Sequence, residues 1–169
     1  FGRCLDAGAP VGHLLVERLW RTALGGRLPS AVVFALVDLL RTRPIWAEAW
    51  LSWLHRWADP SSVEAADVPT QRALALRLVR ALGRAAAGGP PGGPTTQLLL
   101  QGVHLRLGAQ VPESRHHGMA VAEAMARDWS PPEGEAGAAG PERPELRFQG
   151  FDLEACGLGD FALAGAPFA

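Results

Sequence analysis

The sequence predicts an all-α protein, and three observations predict it. Apolar residues recur at i, i+3, i+4 and i+7 in successive stretches, which is the pattern of helices with one buried face. Pro and Gly mark the ends of most of these stretches, as they do at helix boundaries. Alternating apolar and polar runs, which would indicate strands, are almost absent. We therefore expect about six amphipathic helices joined by short or flexible connections.

The first three predicted helices lie close together near the N-terminal end. Gly25-Gly26 ends the first helix, Pro29 opens the second, and Pro44 opens the third after the short connection Thr42-Arg43. So short a connection predicts that the second and third helices pack as antiparallel neighbours. The predicted inward faces are, in order, Val16, Leu19, Trp20, Ala23 and Leu24; Val33, Leu36, Val37 and Leu40, with Asp38 turned outward; and Trp46, Trp50, Trp53 and Trp57.

Three further helices follow a loop predicted at Asp59-Pro60-Ser61-Ser62. The fourth runs from about Thr70 to Ala87, and a flexible Gly/Pro linker from Gly88 to Gly93 separates it from the fifth. The fifth helix follows Pro94, and the sixth follows Pro112. Their predicted inward faces are Leu74, Leu78, Ala81, Leu82 and Ala85; Leu98, Leu99, Val103 and Leu107; and Gly118, Val121, Ala122, Met125, Ala126 and Trp129.

The helical pattern ends after Trp129, which divides the chain into four parts. Residues 11–129 form the predicted helical segment, and residues 130–144, rich in Pro, Gly, Ala and Glu, are predicted to be a disordered linker. Residues 145–153 are a short mixed segment that we expect to dock on the helices. The Gly and Ala content of residues 154–169 predicts a disordered tail.

Two architectures satisfy this helix order. One is a closed helical bundle, and the other is an open α-solenoid of stacked antiparallel helix pairs, as in HEAT or armadillo arrays. Helix pairs of about 40 residues favour the solenoid, although no internal sequence repeat is visible.

Composition excludes several classes of function. The net charge is −1 with 16 basic residues, all of them Arg, which argues against a general nucleic-acid binder. The longest apolar run, Ala31 to Val37, is too short to span a membrane and stops at Asp38. The two cysteines, Cys4 and Cys156, lack a CxxC spacing and favour a reduced, intracellular setting. Because the chain opens at Phe1 without Met, we expect it to be a portion of a longer protein.

Two side-chain sets are candidate partner surfaces. Trp46 and Trp50 belong to the Trp stripe of the third helix, whose spacing favours core packing, with any exposed remainder acting as a protein-interface hot spot. Arg77, Arg80 and Arg84 lie opposite the Leu face of the fourth helix, so we expect a solvated stripe or a patch for an acidic partner.

No catalytic, cofactor or metal site is predicted. His116 and His117 are adjacent on a helix and point about 100° apart, so they do not chelate one ion together, and we expect both at the surface. No nucleophile elbow, phosphate-binding loop, dinucleotide fingerprint or zinc-protease motif occurs in the sequence. We therefore expect a protein that is not an enzyme.

The sixth helix carries the most informative motif, which runs from Pro112 to Glu123. It resembles a segment of the telomere length regulation protein family that reads Pro, a short gap, then Arg-x-x-Gly-Met-x-Val-Ala-Glu. The matching residues here are Arg115, Gly118, Met119, Val121, Ala122 and Glu123. We expect Gly118 to leave out a side chain where two helices approach closely, at a cost in helix propensity of about 1 kcal/mol. Met119, Val121 and Ala122 are expected to pack. Glu123 is expected to face outward.

Further pieces of the same family's pattern occur in order along the chain. Pro144 to Gln149 is similar to the family's Pro-Leu-Lys-Phe-Gln segment. Upstream, Arg56-Trp57-Ala58, then Ser61-Ser62, then Val68 to Arg72 are similar to the family's Thr-Trp-Gly, Ser-Ser and Leu-Pro-Gln-Gln-Arg succession. The resemblance covers roughly Pro29 to Gln149.

The resemblance implies an α-solenoid adaptor without catalytic activity or cofactor. Family members join two other helical-repeat proteins in the TTT complex, which supports maturation and stability of phosphatidylinositol-3-kinase-related kinases such as mTOR, ATM and ATR. The implied location is cytoplasm and nucleus, with association at telomeres. Family members recruit a chaperone machinery through a Ser-Asp linker, and residues 150–169 contain no Ser and no acidic run.

The alternative hypothesis is a self-contained helical-bundle regulator or nucleic-acid-binding domain, unrelated to this family, that shares only its helix statistics.

Overall fold

The structure, a computed structural model, describes residues 28–65, 67–85, 93–128 and 146–165. Within these ranges it contains seven α-helices and no strand, so the predicted all-α class is confirmed. The helices are α1 (Ser30–Arg41), α2 (Trp46–Ala58), α3 (Pro60–Ala65), α4 (Val68–Ala85), α5 (Gly93–Leu107), α6 (Pro112–Asp128) and α7 (Gly159–Gly165). The first predicted helix, most of the predicted linker from Gly88 to Gly93, and residues 130–144 lie outside the described residues.

Helix α4 is the central element of the described part of the chain. It packs against α1, α2, α6 and α7, and every residue from Ala73 to Leu82 is buried. Helices α1 and α2 touch each other, but α1 makes most of its contacts with α4, and α2 with α5. Helix α6 packs on both α4 and α5. The stacking of successive pairs into a solenoid remains a prediction.

The hydrophobic core follows most of the predicted inward faces. Of the predicted inward residues, Trp53, Trp57 and Leu82 are completely buried, and so is Leu54, which was not predicted. Other predicted inward residues that are buried are Val33, Val37, Leu40, Leu74, Leu78, Ala81, Leu99, Val103, Gly118, Val121 and Met125. Ala126 is exposed, so its predicted inward position is wrong.

The loop predicted at Asp59 to Ser62 is wrong, because helix α3 begins there. Asp59 acts as the residue before the helix: its Oδ1 accepts the Ser61 backbone N–H at 3.0 Å, and Pro60 occupies the first helical position, where no N–H is needed. Asp67 caps α4 in the same way, accepting the Thr70 N–H at 3.0 Å, so that helix starts at Val68.

The disordered tail predicted for residues 154–169 is wrong for residues 154–165. Gly157 adopts a φ of +69°, and the Leu158 N–H donates to Leu153 O, which reverses the chain just before α7. Helix α7 then buries Phe161 and Ala164 against α4. Apolar packing on a neighbouring helix stabilises a segment whose composition alone predicts little order.

Candidate functional site

Gly118 on α6 lies where that helix crosses α5. A Cβ atom added there would lie 3.0 Å from Arg106 Cβ and 3.4 Å from both Leu107 N and Val103 O. The distance to Arg106 Cβ is tighter than ordinary van der Waals contact, and the two backbone atoms lie at the lower limit of that contact. The predicted role of Gly118 in a close helix approach is therefore confirmed.

The other motif residues of α6 divide between packing and hydrogen bonding. Val121 is fully buried, Ala122 is partly buried against the core, and Met119 is partly buried. Arg115 Nη1 donates to Ala109 O at 2.9 Å and to Gln110 O at 3.1 Å, which satisfies two carbonyls of the connection after α5. Glu123 does not simply face solvent: it is partly buried and has a backbone donor as its partner.

Three separated segments of the chain meet at α6. The Ser114 hydroxyl donates to Gln71 Oε1 at 3.0 Å, and Gln71 Nε2 donates to Val63 O at 3.0 Å, so this buried pair joins α6 to α4 and α3. The Phe148 N–H donates to Glu123 Oε1 at 3.1 Å, which holds the segment after the predicted linker on α6. Phe148 lies in the segment 145–153 that is predicted to dock on the helices, and this hydrogen bond is its contact with α6.

A second close approach joins α2 to α5 around Trp57. A Cβ atom added at Gly102 would lie 2.0 Å from Trp57 Cδ1, so only glycine leaves room for the indole. The Trp57 Nε1–H donates to Leu99 O at 3.1 Å. On the ring face lies Arg106, whose Cζ is 3.4 Å from the ring centroid and whose Nη1 donates to Trp57 O at 2.7 Å. Burial lowers the pKa of Arg106 to about 9.

The expected solvent-exposed Arg stripe on α4 is wrong for Arg77 and Arg80. Arg77 is only 1% exposed and Arg80 only 2% exposed, because α1, α2, α6 and α7 surround the helix. The side chain of Arg84 lies outside the described part of the structure. Arg77 and Arg80 therefore cannot form the partner surface that the sequence predicted.

The two buried arginines have different environments. Arg80 is paired: its Nη2 lies 2.6 Å from Asp38 Oδ2, and its Nη1 donates to Ala164 O at 3.3 Å. Asp38 is consequently partly buried, and not simply turned outward as predicted. Arg77 lies over the ring of Trp53 with its Cζ 5.9 Å from the centroid, and within the described residues its Nη1 and Nη2 have no hydrogen-bond partner. Burial, and then the charge of Arg56, lower the pKa of Arg77 to about 10.

The Trp stripe of α2 is core at one end and partly exposed at the other. Trp53 and Trp57 are fully buried, which confirms core packing for these two. Trp46 and Trp50 are partly buried and stack on each other with ring centroids 5.9 Å apart. Trp53 meets both rings edge-on, at 5.7 and 6.4 Å. Of the predicted partner residues whose side chains the structure describes, this stacked pair is partly accessible.

The expectation that both histidines of α6 lie at the surface is wrong for His117. It is 1% exposed and stacks on Phe161 with ring centroids 6.2 Å apart. Burial, and then the charges of Arg106, Arg72 and His116, lower its pKa to about 4, so the imidazole is neutral at pH 7. His116 is partly buried, and its Nε2 lies 3.8 Å from Cys156 Sγ.

Helix α7 is held on α4 by charged contacts as well as by apolar packing. Arg72 of α4 and Ser30 of α1 both donate to the Asp160 carboxylate. The Arg72 guanidinium also lies 5.8 Å from the centroid of the Phe161 ring. Reasoning from the sequence missed this region, although Leu158, Phe161 and Ala164 have the i, i+3, i+6 spacing of a short apolar face.

The described residues contain no group of three or more His, Cys, Asp or Glu side chains able to hold a metal ion. None of the helices described has both the length and the apolar character that crossing a membrane requires.

Comparison of the chain with models of protein families, with curated proteins and with solved structures gives no match.

Proposed function

We propose that this chain is a helical-repeat segment of a non-catalytic scaffold of the telomere length regulation type. In this proposal it works in the cytoplasm and nucleus as an adaptor of the TTT complex. There it supports the maturation and stability of phosphatidylinositol-3-kinase-related kinases, and thereby growth signalling and DNA-damage checkpoints.

The observation that carries this proposal is the meeting of three segments that carry the resemblance. Gln71 belongs to the upstream segment that ends at Arg72, and Ser114 and Glu123 belong to the α6 motif. Phe148 belongs to the segment from Pro144 to Gln149. Two hydrogen bonds, from Ser114 to Gln71 and from Phe148 to Glu123, join them across gaps of 43 and 25 residues. Segments that form one structural unit are expected to keep their order and residue types together, which supports treating them as one motif.

The α6 motif supports the same proposal through its glycine. The family pattern that this segment resembles has a glycine at this place, and Gly118 has a physical reason to stand there, since a Cβ atom would lie only 3.0 Å from Arg106 Cβ of α5. The remaining motif positions pack or satisfy backbone groups, which suits a scaffold whose motif maintains shape.

The partner surface is best assigned to Trp46 and Trp50. Tryptophan is enriched among residues that dominate protein–protein binding energy, and this pair is partly accessible and stacked. Burial of Arg77 and Arg80 removes two of the three arginines that could have gripped phosphates, which disfavours the nucleic-acid-binding alternative.

The test is copurification from cells with an affinity-tagged full chain. We expect recovery of the two helical-repeat TTT subunits and of the large kinases, measured by immunoblot. A Trp46→Ala/Trp50→Ala variant should lower that recovery about tenfold or more, because a tryptophan hot spot contributes about 2 kcal/mol or more.

Val111→Ala is the matched control, since Val111 is an apolar residue 44% exposed in the connection before α6. It should leave recovery unchanged. A wild-type chain that recovers none of these proteins, and instead binds DNA or RNA with a steep salt dependence, would establish the alternative.

A further inference from the structure

Arg106 of α5 carries a buried charge that lacks a carboxylate partner among the described residues. Its side chain is 0% exposed. It lies on the ring of Trp57, and its Nη1 donates to Trp57 O at 2.7 Å and to Gly102 O at 3.2 Å. The ion pairs within the described ranges do not include it. Two carbonyl dipoles satisfy hydrogen bonds, but a buried charge is ordinarily compensated by a charge of opposite sign.

The unpaired groups of Arg106 lie on one edge of its guanidinium. Nε and Nη2 are buried and have no hydrogen-bond partner in the part of the chain that the structure describes. The Nε–H and one Nη2–H of an arginine point the same way, and together they form a two-pronged edge that binds anions. The contacts of Nη1 with Trp57 O and Gly102 O therefore fix the guanidinium and leave this edge for a ligand.

A second buried group lies close to Arg106. His117 of α6 is 1% exposed, and its Nδ1 has no hydrogen-bond partner within the described residues. The next residue, Gly118, brings α6 against Arg106, since a Cβ atom added there would lie 3.0 Å from Arg106 Cβ. Of the charges that lower the pKa of His117, that of Arg106 acts most strongly. The imidazole is neutral at pH 7, so it can carry its hydrogen on Nδ1 and donate.

Charge and burial together decide which ligand suits these donors. A water molecule accepts the same hydrogen bonds but leaves the guanidinium charge uncompensated, whereas a small anion does both. The charges that act on His117, those of Arg106, Arg72 and His116, are all basic and favour an anion. Because Arg106 and His117 are almost completely buried, the ligand is a monatomic ion and not the side chain of a partner protein.

We propose that Arg106 and His117 form an internal chloride site at the crossing of α5 and α6. The Nε–H and Nη2–H of Arg106 and the Nδ1–H of His117 donate to the ion, while Trp57 holds the guanidinium in place from its ring face. The ion stabilises the helix crossing by compensating a buried charge. This site is separate from the Trp46/Trp50 surface and does not rest on the proposed scaffold function.

The main test compares chloride with gluconate on the full chain, at constant ionic strength and neutral pH. Urea unfolding followed by circular dichroism gives the equilibrium constant for unfolding. Replacing gluconate by about 0.1 M chloride should lower this constant about tenfold, as expected for an ion that binds the folded chain with a Kd of about 10 mM. The effect should saturate with chloride concentration. A wild-type chain that unfolds alike in both salts would overturn the proposal.

Arg106→Lys tests the two-pronged edge. Lysine keeps the positive charge and an aliphatic stem but has no such edge, so the stability of this variant should not depend on chloride. Arg115→Lys is the matched control, because Arg115 is partly buried and also donates Nη1 to two carbonyl oxygens, at 2.9 and 3.1 Å. It should keep the wild-type chloride dependence. Equal chloride dependence in the wild-type chain and in a folded Arg106→Lys chain would overturn the assignment.

Acid stability gives an independent readout of the ion. A chloride at this site favours the protonated imidazole of His117, against the charges of Arg106, Arg72 and His116. Of these, Arg72 is paired with the Asp160 carboxylate of α7. Acid should therefore destabilise the chain less in chloride than in gluconate, and the full acid effect of His117 is measured in gluconate. An identical loss in both salts would contradict a site at His117.

Bromide keeps the proposal falsifiable if Arg106→Lys does not fold. Bromide has the charge of chloride and nearly its size, and it scatters X-rays anomalously. Crystals of the wild-type chain grown in sodium bromide should show an anomalous peak within hydrogen-bond distance of Arg106 Nε and Nη2. A water molecule at these atoms, without anomalous signal, would overturn the proposal.

Discussion

Two glycines decide how closely α2, α5 and α6 approach one another. Gly102 accommodates the indole of Trp57, and Gly118 accommodates the Cβ atom of Arg106 on α5. Both glycines stand inside helices, where Gly is unfavourable by about 1 kcal/mol relative to Ala. The packing of the Trp57 indole, on which Arg106 stacks, explains why glycine stands at position 102 although helix propensity disfavours it.

Gly102→Ala should destabilise the chain strongly. The new methyl group would lie 2.0 Å from Trp57 Cδ1, and the indole cannot move aside because it is fully buried and bonded to Leu99 O. We expect a loss of about 3 kcal/mol in the free energy of unfolding, with overpacking outweighing the gain in helix propensity. Urea denaturation followed by circular dichroism measures it.

Gly108→Ala is the matched control. A Cβ atom at Gly108 would meet only ordinary contacts, at 3.7 and 3.8 Å. This variant should unfold within about 0.5 kcal/mol of the wild-type chain. A Gly102→Ala chain as stable as Gly108→Ala would contradict the close approach of α2 and α5.

At the scale of elements, a single arginine joins three helices. Arg80 of α4 pairs with Asp38 of α1 and donates to Ala164 O near the C-terminal end of α7. A cation near a helix C-terminus also interacts favourably with the helix dipole. The three helices are therefore coupled through the buried charge of Arg80, which forms an ion pair with the Asp38 carboxylate.

Asp38→Ala should destabilise the packing of α1 on α4. It leaves the Arg80 guanidinium 2% exposed without its carboxylate, and breaking a buried pair in this way typically costs about 3 kcal/mol. Thermal unfolding and urea titration of the full chain measure the loss. The exposed carboxylate of Glu48 on α2 supplies the control, since Glu48→Ala should change stability by less than about 0.5 kcal/mol.

A double variant separates charge from shape. Adding Arg80→Met to Asp38→Ala removes the uncompensated charge and retains much of the side-chain volume, so it should recover part of the lost stability. If the double variant is less stable than Asp38→Ala alone, the arginine contributes through packing or through Ala164, and the buried-charge explanation is wrong.

At the scale of the whole molecule, the interior holds three basic groups whose pKa is lowered by burial. Arg77, Arg106 and His117 lie on three different helices, and burial is the largest cause of the lowered pKa of each. The arginines stay charged at pH 7 with a pKa of about 10 and about 9, whereas His117 is neutral. Lowering the pH therefore acts on the interior through the histidine.

Acid should destabilise the chain through His117. In the unfolded chain this imidazole binds a proton below its ordinary pKa of about 6.5, and in the folded chain only below about 4. The unfolded state thus binds more protons between these values, so the stabilisation from the neutral imidazole is complete above pH 6.5 and is lost as the pH falls towards 4. Between pH 7 and pH 5 its contribution to the loss should be about 2 kcal/mol.

The measurement is the free energy of unfolding of the wild-type chain and of His117→Gln at both pH values. His117→Gln should lose less stability on acidification, whatever its stability at pH 7. His55→Gln, at an exposed position of α2, should keep the wild-type pH dependence. An equally steep decline in wild type and His117→Gln would contradict the assignment.

The local sequence predicted the helices well where periodicity and end residues agreed. Pro112 and Glu113 begin α6 as expected, and the inward positions of α1, α4 and α5 largely follow the 3.6-residue spacing. It was wrong at Asp59, because an Asp-Pro pair is found both in turns and at helix starts. The role of Gly118 was predicted correctly because a glycine inside a helix requires a packing reason.

The sequence by itself determined the all-α class and most helix positions, since these depend on residues within a few positions of each other. Gly118 also indicated a close helix approach, and the tertiary structure identified α5 as the neighbouring helix. Only the tertiary structure decided that Arg77, Arg80 and His117 are buried and that α7 is ordered. Apolar residues lie on every side of α4 between Ala73 and Leu82, and the long aliphatic stems of its arginines can pack among them. Whether such a side chain reaches solvent depends on which helices cover it, and here α1, α2, α6 and α7 do.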